Sequence, residues 1–170
     1  MEITLQKANL SQISRIWEIL QQAIAQRKAD GSTQWQNGYP NERVIEGDIA
    51  AGRGYVFLNK EEVIAYIAII FGEEIPYNAI EGKWLTQGDY VTLHRLAISN
   101  TVKGKGIGTT LFGLVEAYCT AQNAPSIRMD TSADNRQMLK IADRLGYTYC
   151  GTVLQSGAPR RAYEKVMTDL

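Results

Sequence analysis

The sequence predicts an α/β chain of the α+β type, a mixed sheet with helices on both faces. Three observations predict it. Two strand-like runs, Val91–Ser99 and Ser126–Thr131, are joined through a helix-like run, and such a crossover makes its strands parallel. Strand-like runs on either side meet at short turns, as antiparallel hairpins do. Between them lie runs with apolar residues at helical spacing, which need a sheet face to cover them.

The elements follow in chain order. "EITLQKA" alternates and reads as a first strand. In "NLSQISRIWEILQQAIAQRK", Ile13, Ile16, Trp17, Leu20, Ala23 and Ile24 share one helical face, and Asn9 or Ser11 is the cap. A loop from Ala29 to Glu42 contains Gly, Asn, Pro, Trp35 and Tyr39. The short helix "ERVIEGDIAAG" ends near Gly52, and "GYVFLNKEEVIAYIAIIFG" is a hairpin turning at "NKEE". "EEIPYNAIEGKWLTQGDY" reads as irregular, and "VTLHRLAIS" as a strong strand. The helix "GTTLFGLVEAYCTAQ" has its apolar stripe on Leu111, Leu114, Val115 and Tyr118. "SIRMDT" sets Ile127 and Met129 against Arg128 and Asp130. The helix "DNRQMLKIADRL" carries Met138, Ile141, Ala142 and Leu145 on one face, with Gly146 following its end. "YTYCGTVLQSGAPRRAYEKVM" closes the chain as strand, turn and strand.

The 170 residues suit one domain, 1–170, with neither repeats nor a linker. Lys plus Arg and Asp plus Glu number 18 each, so no global field holds a polyanion, and nucleic acid is an unexpected partner. Two cysteines and one histidine leave structural zinc without ligands, and no metal site is expected. The longest apolar run, Val63 to Phe71, is far short of the ~20 residues of a membrane span. With no apolar leader in "MEITLQKANL", the expected location is cytoplasmic.

"VKGKGIGTT" joins the strand Val91–Ser99 to the following helix. A glycine-rich helix entry presents unpaired backbone N–H groups and the positive end of the helix dipole, which suits phosphate. Neither G-x-G-x-x-G nor G-x-x-x-x-G-K-[ST] fits its spacing. The glycines alone are equally compatible with a tight turn that holds nothing.

With its flank "LHRLAIS", the loop resembles the signature of the GNAT superfamily, the acyl-CoA-dependent N-acyltransferases. Lys103, Gly106 and Gly108 match the family pattern Arg/Gln-x-x-Gly-x-Gly/Ala, with Lys103 in place of Arg or Gln. A second family motif appears as Asn135, Gly146, Tyr147 and Gly151. "TQWQNGYP", "LHRLAIS" and "YCG" also resemble a functionally uncharacterised bacterial subgroup. The resemblance implies a mostly antiparallel sheet of six to seven strands with a splayed parallel central pair. It implies that the pantetheine arm of acetyl-CoA lies along Leu96, Ala97 and Ile98. The pyrophosphate would rest on Lys103, Gly104, Lys105, Gly106, Ile107, Gly108 and Thr109, and Asn135 would contact the arm. A backbone N–H near Leu96 or Ala97 would receive the thioester carbonyl. A homodimer is compatible with the family.

The implied activity is acetyl transfer from acetyl-CoA to a primary amine, small-molecule or peptide, by direct attack in a ternary complex. An amine with a pKa near ~10.4 must lose a proton before attack. His94 is the best base candidate, being the only histidine and sharing an alternating face with Thr92, Leu96 and Ile98. A substrate contact or a structural role for His94 stays open. Where many members place a general-acid tyrosine, this chain has Ala142. That gap motivates the alternative of an acyl-CoA-binding sensor or partner-binding module without efficient catalysis. Glu73, Glu74 and Asp89 are candidates to meet a cationic amine. Trp35, Tyr39 and Trp84 are the candidate walls of the acceptor pocket, or equally anchors of irregular loops.

Overall fold

Strand and helix spacing in the chain produces eight strands and four helices in the computed structural model, which describes residues 1–167. The last three residues of the expected 1–170 domain lie outside the described residues. The order is β1 (Ile3–Lys7), α1 (Ile13–Ala29), α2 (Glu42–Ala50), β2 (Gly54–Asn59), β3 (Glu62–Phe71), β4 (Glu81–Gly82), β5 (Val91–Ile98), α3 (Ile107–Ala121), β6 (Ser126–Thr131), α4 (Arg136–Arg144), β7 (Thr148–Gln155) and β8 (Ala158–Val166). The sheet runs β1-β2-β3-β5-β6-β8-β7-β4. β5 and β6 are parallel, with Val91, Thr92 and Leu93 opposite Ile127, Arg128 and Met129. The pairs β1–β2, β2–β3, β6–β8, β7–β8 and β4–β7 are antiparallel.

Eight strands replace the expected six to seven because the stretch read as irregular contains β4. This strand has two residues and pairs Glu81 with Thr152 and Gly82 with Gly151. The pairing needs glycine on both sides. A Cβ on Gly82 would stand 2.1 Å from the Cys150 carbonyl oxygen, and one on Gly151 would stand 2.1 Å from that of Glu81.

The chain forms two compact units. The first comprises residues 1–69 and 95–115, the second residues 70–94 and 116 onward. In the first, Asn9 and Gln12 form a capping box on a short 3-10 turn leading into α1. Asn41 caps α2 by accepting from Val44 N–H. Ile16, Ile19 and Leu20 of α1 and Ile45 of α2 pack on Val56, Leu58, Val63, Tyr66 and Ala97. Burying each such Ile or Leu contributes about 1.5–3 kcal/mol. Ile19 takes a core place the spacing had not assigned, while Ile24 is only partly buried. β2 and β3 are buried in continuous runs, so both their faces are covered.

In the second unit Tyr77, Trp84, Cys150, Val153 and Ala162 form a core. Arg128, expected on the polar side of "SIRMDT", is buried instead. Its guanidinium lies 4.3 Å from the Trp84 ring centre and 4.0 Å from that of Tyr90, and pairs with the Glu164 carboxylate at 3.3 Å. Stacking and the ion pair together replace the water it gives up. Asn135 caps α4, and Gly146 takes φ +80 at its end. Along α3 the expected Leu111 and Val115 are buried together with Phe112 and Cys119, leaving Leu114 and Tyr118 at the flanks. Among the described residues no helix is long and apolar enough to cross a membrane.

Candidate active site

β5 carries the residues singled out from sequence, and it is not a regular strand. Arg95 has φ +58, a left-handed conformation that a non-glycine residue seldom adopts. Such a residue turns the strand locally, as in a bulge. The alternation that put Thr92, His94, Leu96 and Ile98 on one face therefore does not carry past Arg95. The Arg95 side chain is bonded to α2 and to the 29–42 loop. Asp48 on α2, fully buried, accepts from Arg95 Nε at 2.9 Å and Nη2 at 2.7 Å. It also accepts from Arg53 Nε at 2.8 Å and from the Tyr66 hydroxyl. Arg95 Nη1 donates to the Tyr39 hydroxyl at 2.7 Å. Burial works against the Arg95 charge, but Tyr39 and Asp48 more than offset it and hold its pKa above the usual value.

In the same unit the glycine loop turns through three successive left-handed residues, Gly104, Lys105 and Gly106, at φ +89, +57 and +73. Nothing lies within 4 Å of where a Cβ would sit on Gly104 or Gly106, so a ligand can reach the backbone. Successive N–H groups in such a turn form a concavity for anions. A cavity of about 340 Å³ adjoins the loop, lined by Val102, Lys103, Gly104, Lys105 and Ile107 together with Met1 and Ile3. Partial burial lowers the pKa of Lys103, with the Asp30 charge acting the other way. Thr109 Oγ1 is buried and has no hydrogen-bond partner among the described residues. Open backbone and a lysine suit an anionic group such as a phosphate. Leu96 and Ile98 are partly exposed, whereas Ala97 is packed in the core.

In the second unit His94 is mostly buried, and its Nε2 lies 3.1 Å from Glu74 Oε2. The Tyr90 hydroxyl accepts from Glu74 N–H at 2.8 Å, fixing the segment that carries the carboxylate. The Tyr77 ring centre is 6.2 Å from that of His94. Tyr77 donates to Asp130 Oδ2 at 2.6 Å, and Gln155 Nε2 donates to the same oxygen at 3.2 Å. Burial first, then the Asp130 charge and hydrogen bond, raises the pKa of Tyr77 well above the usual tyrosine value, so it keeps its proton. Thr92 Oγ1 is buried without a partner among the described residues.

The other candidates fall as follows. Trp35 takes φ +63 and packs against the first core, while Tyr39 is partly exposed on Arg95. Trp84 is buried, donating its indole N–H to the Tyr77 carbonyl at 2.9 Å. Asn135 is the α4 cap, its side-chain oxygen accepting from Met138 N–H. Ala142 is fully buried. Glu73 accepts from Asn78 on the surface, and Asp89 is exposed. Sequence reasoning missed Asp48, Arg95, Tyr77 and Asp130. Only Asp48 left a signal, a charge three residues after Ile45 on the apolar side of α2.

Comparison with known proteins bears on this arrangement. Residues 17–147 match the acetyltransferase (GNAT) family. The chain belongs to the GNAT family. A GNAT acetyltransferase of Streptococcus agalactiae 2603, known from a crystal structure, is 36% identical with a TM-score of 0.90, over 98% of this chain and 96% of that one. The uncharacterised N-acetyltransferase YesJ of Bacillus subtilis (strain 168) is 28% identical over 125 residues, 71% of this chain and 68% of that protein. AAC(6′)-Ib, solved with ribostamycin and coenzyme A, shares the fold at 18% identity and a TM-score of 0.70, over 98% of this chain and 94% of that one. As a GNAT protein this chain is an acetyltransferase that moves an acetyl group to an amine, and its family binds acetyl-CoA. The sensor reading without catalysis is not favoured by these relatives.

Proposed function

We propose that this GNAT domain, residues 1–170, transfers acetyl from acetyl-CoA to a primary amine by direct attack in a ternary complex, with His94 as general base. The observation that carries the reading is the His94–Glu74 pair. With Glu74 ionised, Nε2 carries the proton donated to the carboxylate, and the Nδ1 lone pair is left to accept one. Removing a proton from the amine frees its nitrogen lone pair, and the Glu74 charge stabilises the imidazolium that forms.

Acetyl-CoA, when bound, supplies an activated acyl carbon. Lys103, Gly104, Lys105, Gly106, Ile107, Gly108 and Thr109 hold its pyrophosphate, and Leu96, Ala97, Ile98 and Asn135 its pantetheine arm. The open backbone at Gly104 and Gly106 supports this reading. The N–H groups of Leu96 and Ala97 are the donors for the thioester oxygen as it gains charge. Neither thiol suits a covalent route. Burial pushes Cys119 up to about 12, and raises Cys150 as well. With Ala142 in the usual acid position, the departing thiolate takes its proton from water.

The acceptor is a small-molecule or peptide amine, met by Trp35 and Tyr39 of the 29–42 loop and by Trp84, without nucleic acid, membrane or metal. The reading extends to a cytoplasmic enzyme, in which Cys119 and Cys150 stay free thiols, and to a homodimer. Replacing His94 by Gln tests the base. We expect kcat to fall about 10²-fold or more, with acetyl-CoA affinity changed less than about threefold. An unchanged kcat in the folded variant would remove His94 from the mechanism.

A further inference from the structure

The left-handed conformation of Arg95 is the least expected backbone feature of β5. A free arginine in a strand relaxes to extended geometry, so something must hold this one. Asp48 is fully buried, and an uncompensated carboxylate there would be strongly unfavourable. It is compensated by a two-pronged contact from Arg95, a bond from Arg53 Nε and one from the Tyr66 hydroxyl. Arg95 spends its third nitrogen on Tyr39. Nε, Nη1 and Nη2 are therefore all engaged with the protein, and the guanidinium is fixed rather than offered to a ligand. What it fixes is the backbone immediately before Leu96 and Ala97.

We infer that Asp48 and Arg95 are positioning residues for acetyl transfer: the buried carboxylate locks the Arg95 guanidinium, which holds residue 95 left-handed and so aims the N–H groups of Leu96 and Ala97. The inference rests on the proposed role of those N–H groups toward the thioester carbonyl. A purely structural anchor would stabilise the fold and leave turnover alone. The clasp instead acts most on the carbonyl oxygen, where charge develops, and less on the pantetheine arm that the same run holds. Coenzyme A, which lacks the thioester carbonyl, should therefore lose far less affinity than kcat loses rate.

The test is Asp48→Asn, which keeps the shape and removes the charge. We expect kcat to fall about tenfold or more, coenzyme A to bind within about threefold of wild type, and backbone NMR couplings to show residue 95 leaving positive φ. Retention of positive φ with kcat within about twofold would overturn the inference. So would a kcat loss matched by an equal loss of coenzyme A binding. If Asp48→Asn does not fold, Arg95→Ala and Arg95→Gly decide. Both remove the guanidinium, but only glycine adopts φ near +58 without strain. The glycine variant should turn over roughly fivefold faster than the alanine variant, and equal rates would contradict the clasp. A wild-type enzyme inert toward every amine would sink the parent reading, and the NMR comparison would then decide the clasp alone.

Discussion

Glu164 is buried beside Arg128 with no exposed surface, accepting from Ser126 and Thr86 hydroxyls and from Leu85 N–H at 2.7 Å. Burial alone would raise its pKa, but the Ser126 and Thr86 hydrogen bonds and the Arg128 charge outweigh it and lower the value. The folded state thus binds this proton less readily than the unfolded chain. Its contribution to stability is complete above the ordinary glutamate pKa, about 4.3, and is lost as pH falls through the lower folded value. Urea unfolding from pH 7 to pH 3 should show wild type losing stability at the acid end and Glu164→Gln losing less of it. Parallel profiles would count against this role. What sequence showed at this scale depended on uniqueness. His94 was legible because it is the only histidine, and Lys103, Gly106 and Gly108 because they sit in a patterned loop. Asp48 left only its place on the apolar side of α2 and Arg95 left no mark, since their partnership joins residues that neither periodicity nor a motif connects. Trp84 and Arg128 were read separately, and their stacking appears only once the chain has folded.

At the scale of elements, strong periodicity gave reliable helices and strands, and short contacts escaped it. β2, β3, β5 and β6 were each legible from apolar or alternating runs. β4 was not, because two residues carry no period and its identity lies in a glycine facing a glycine. That pairing makes a sharp expectation. Gly82→Ala or Gly151→Ala places a Cβ 2.1 Å from a backbone oxygen, at φ +136 or +138. Backbone on both sides must shift, so we expect a loss of about 2 kcal/mol or more from strain and overpacking, read as a lower melting temperature. A melting temperature unchanged within a degree or two would show that β4 and β7 do not meet this closely. Of the α3 stripe, Leu111 and Val115 are buried as read, while Phe112 and Cys119 take the inner places given to Leu114 and Tyr118, since spacing alone does not say which flank of an apolar helix faces inward.

For the molecule as a whole, the strand–loop–helix motif led to the family, and residues 17–147 match it. The motif works at this distance because a pyrophosphate cradle constrains backbone, and backbone constraints leave glycines in the sequence. The acceptor leaves no comparable mark, since side chains from separate loops meet it and many combinations serve. His94 and the Leu96–Ile98 run share β5, and the proposed chemistry therefore depends on one strand with Arg95 at its bend. The most direct test of the central claim is the release of free coenzyme A thiol from acetyl-CoA, followed with and without a panel of primary amines. At least one amine should accelerate release, with intersecting double-reciprocal lines as a ternary complex requires. The account would be contradicted if no amine accelerated release while acetyl-CoA still raised the melting temperature.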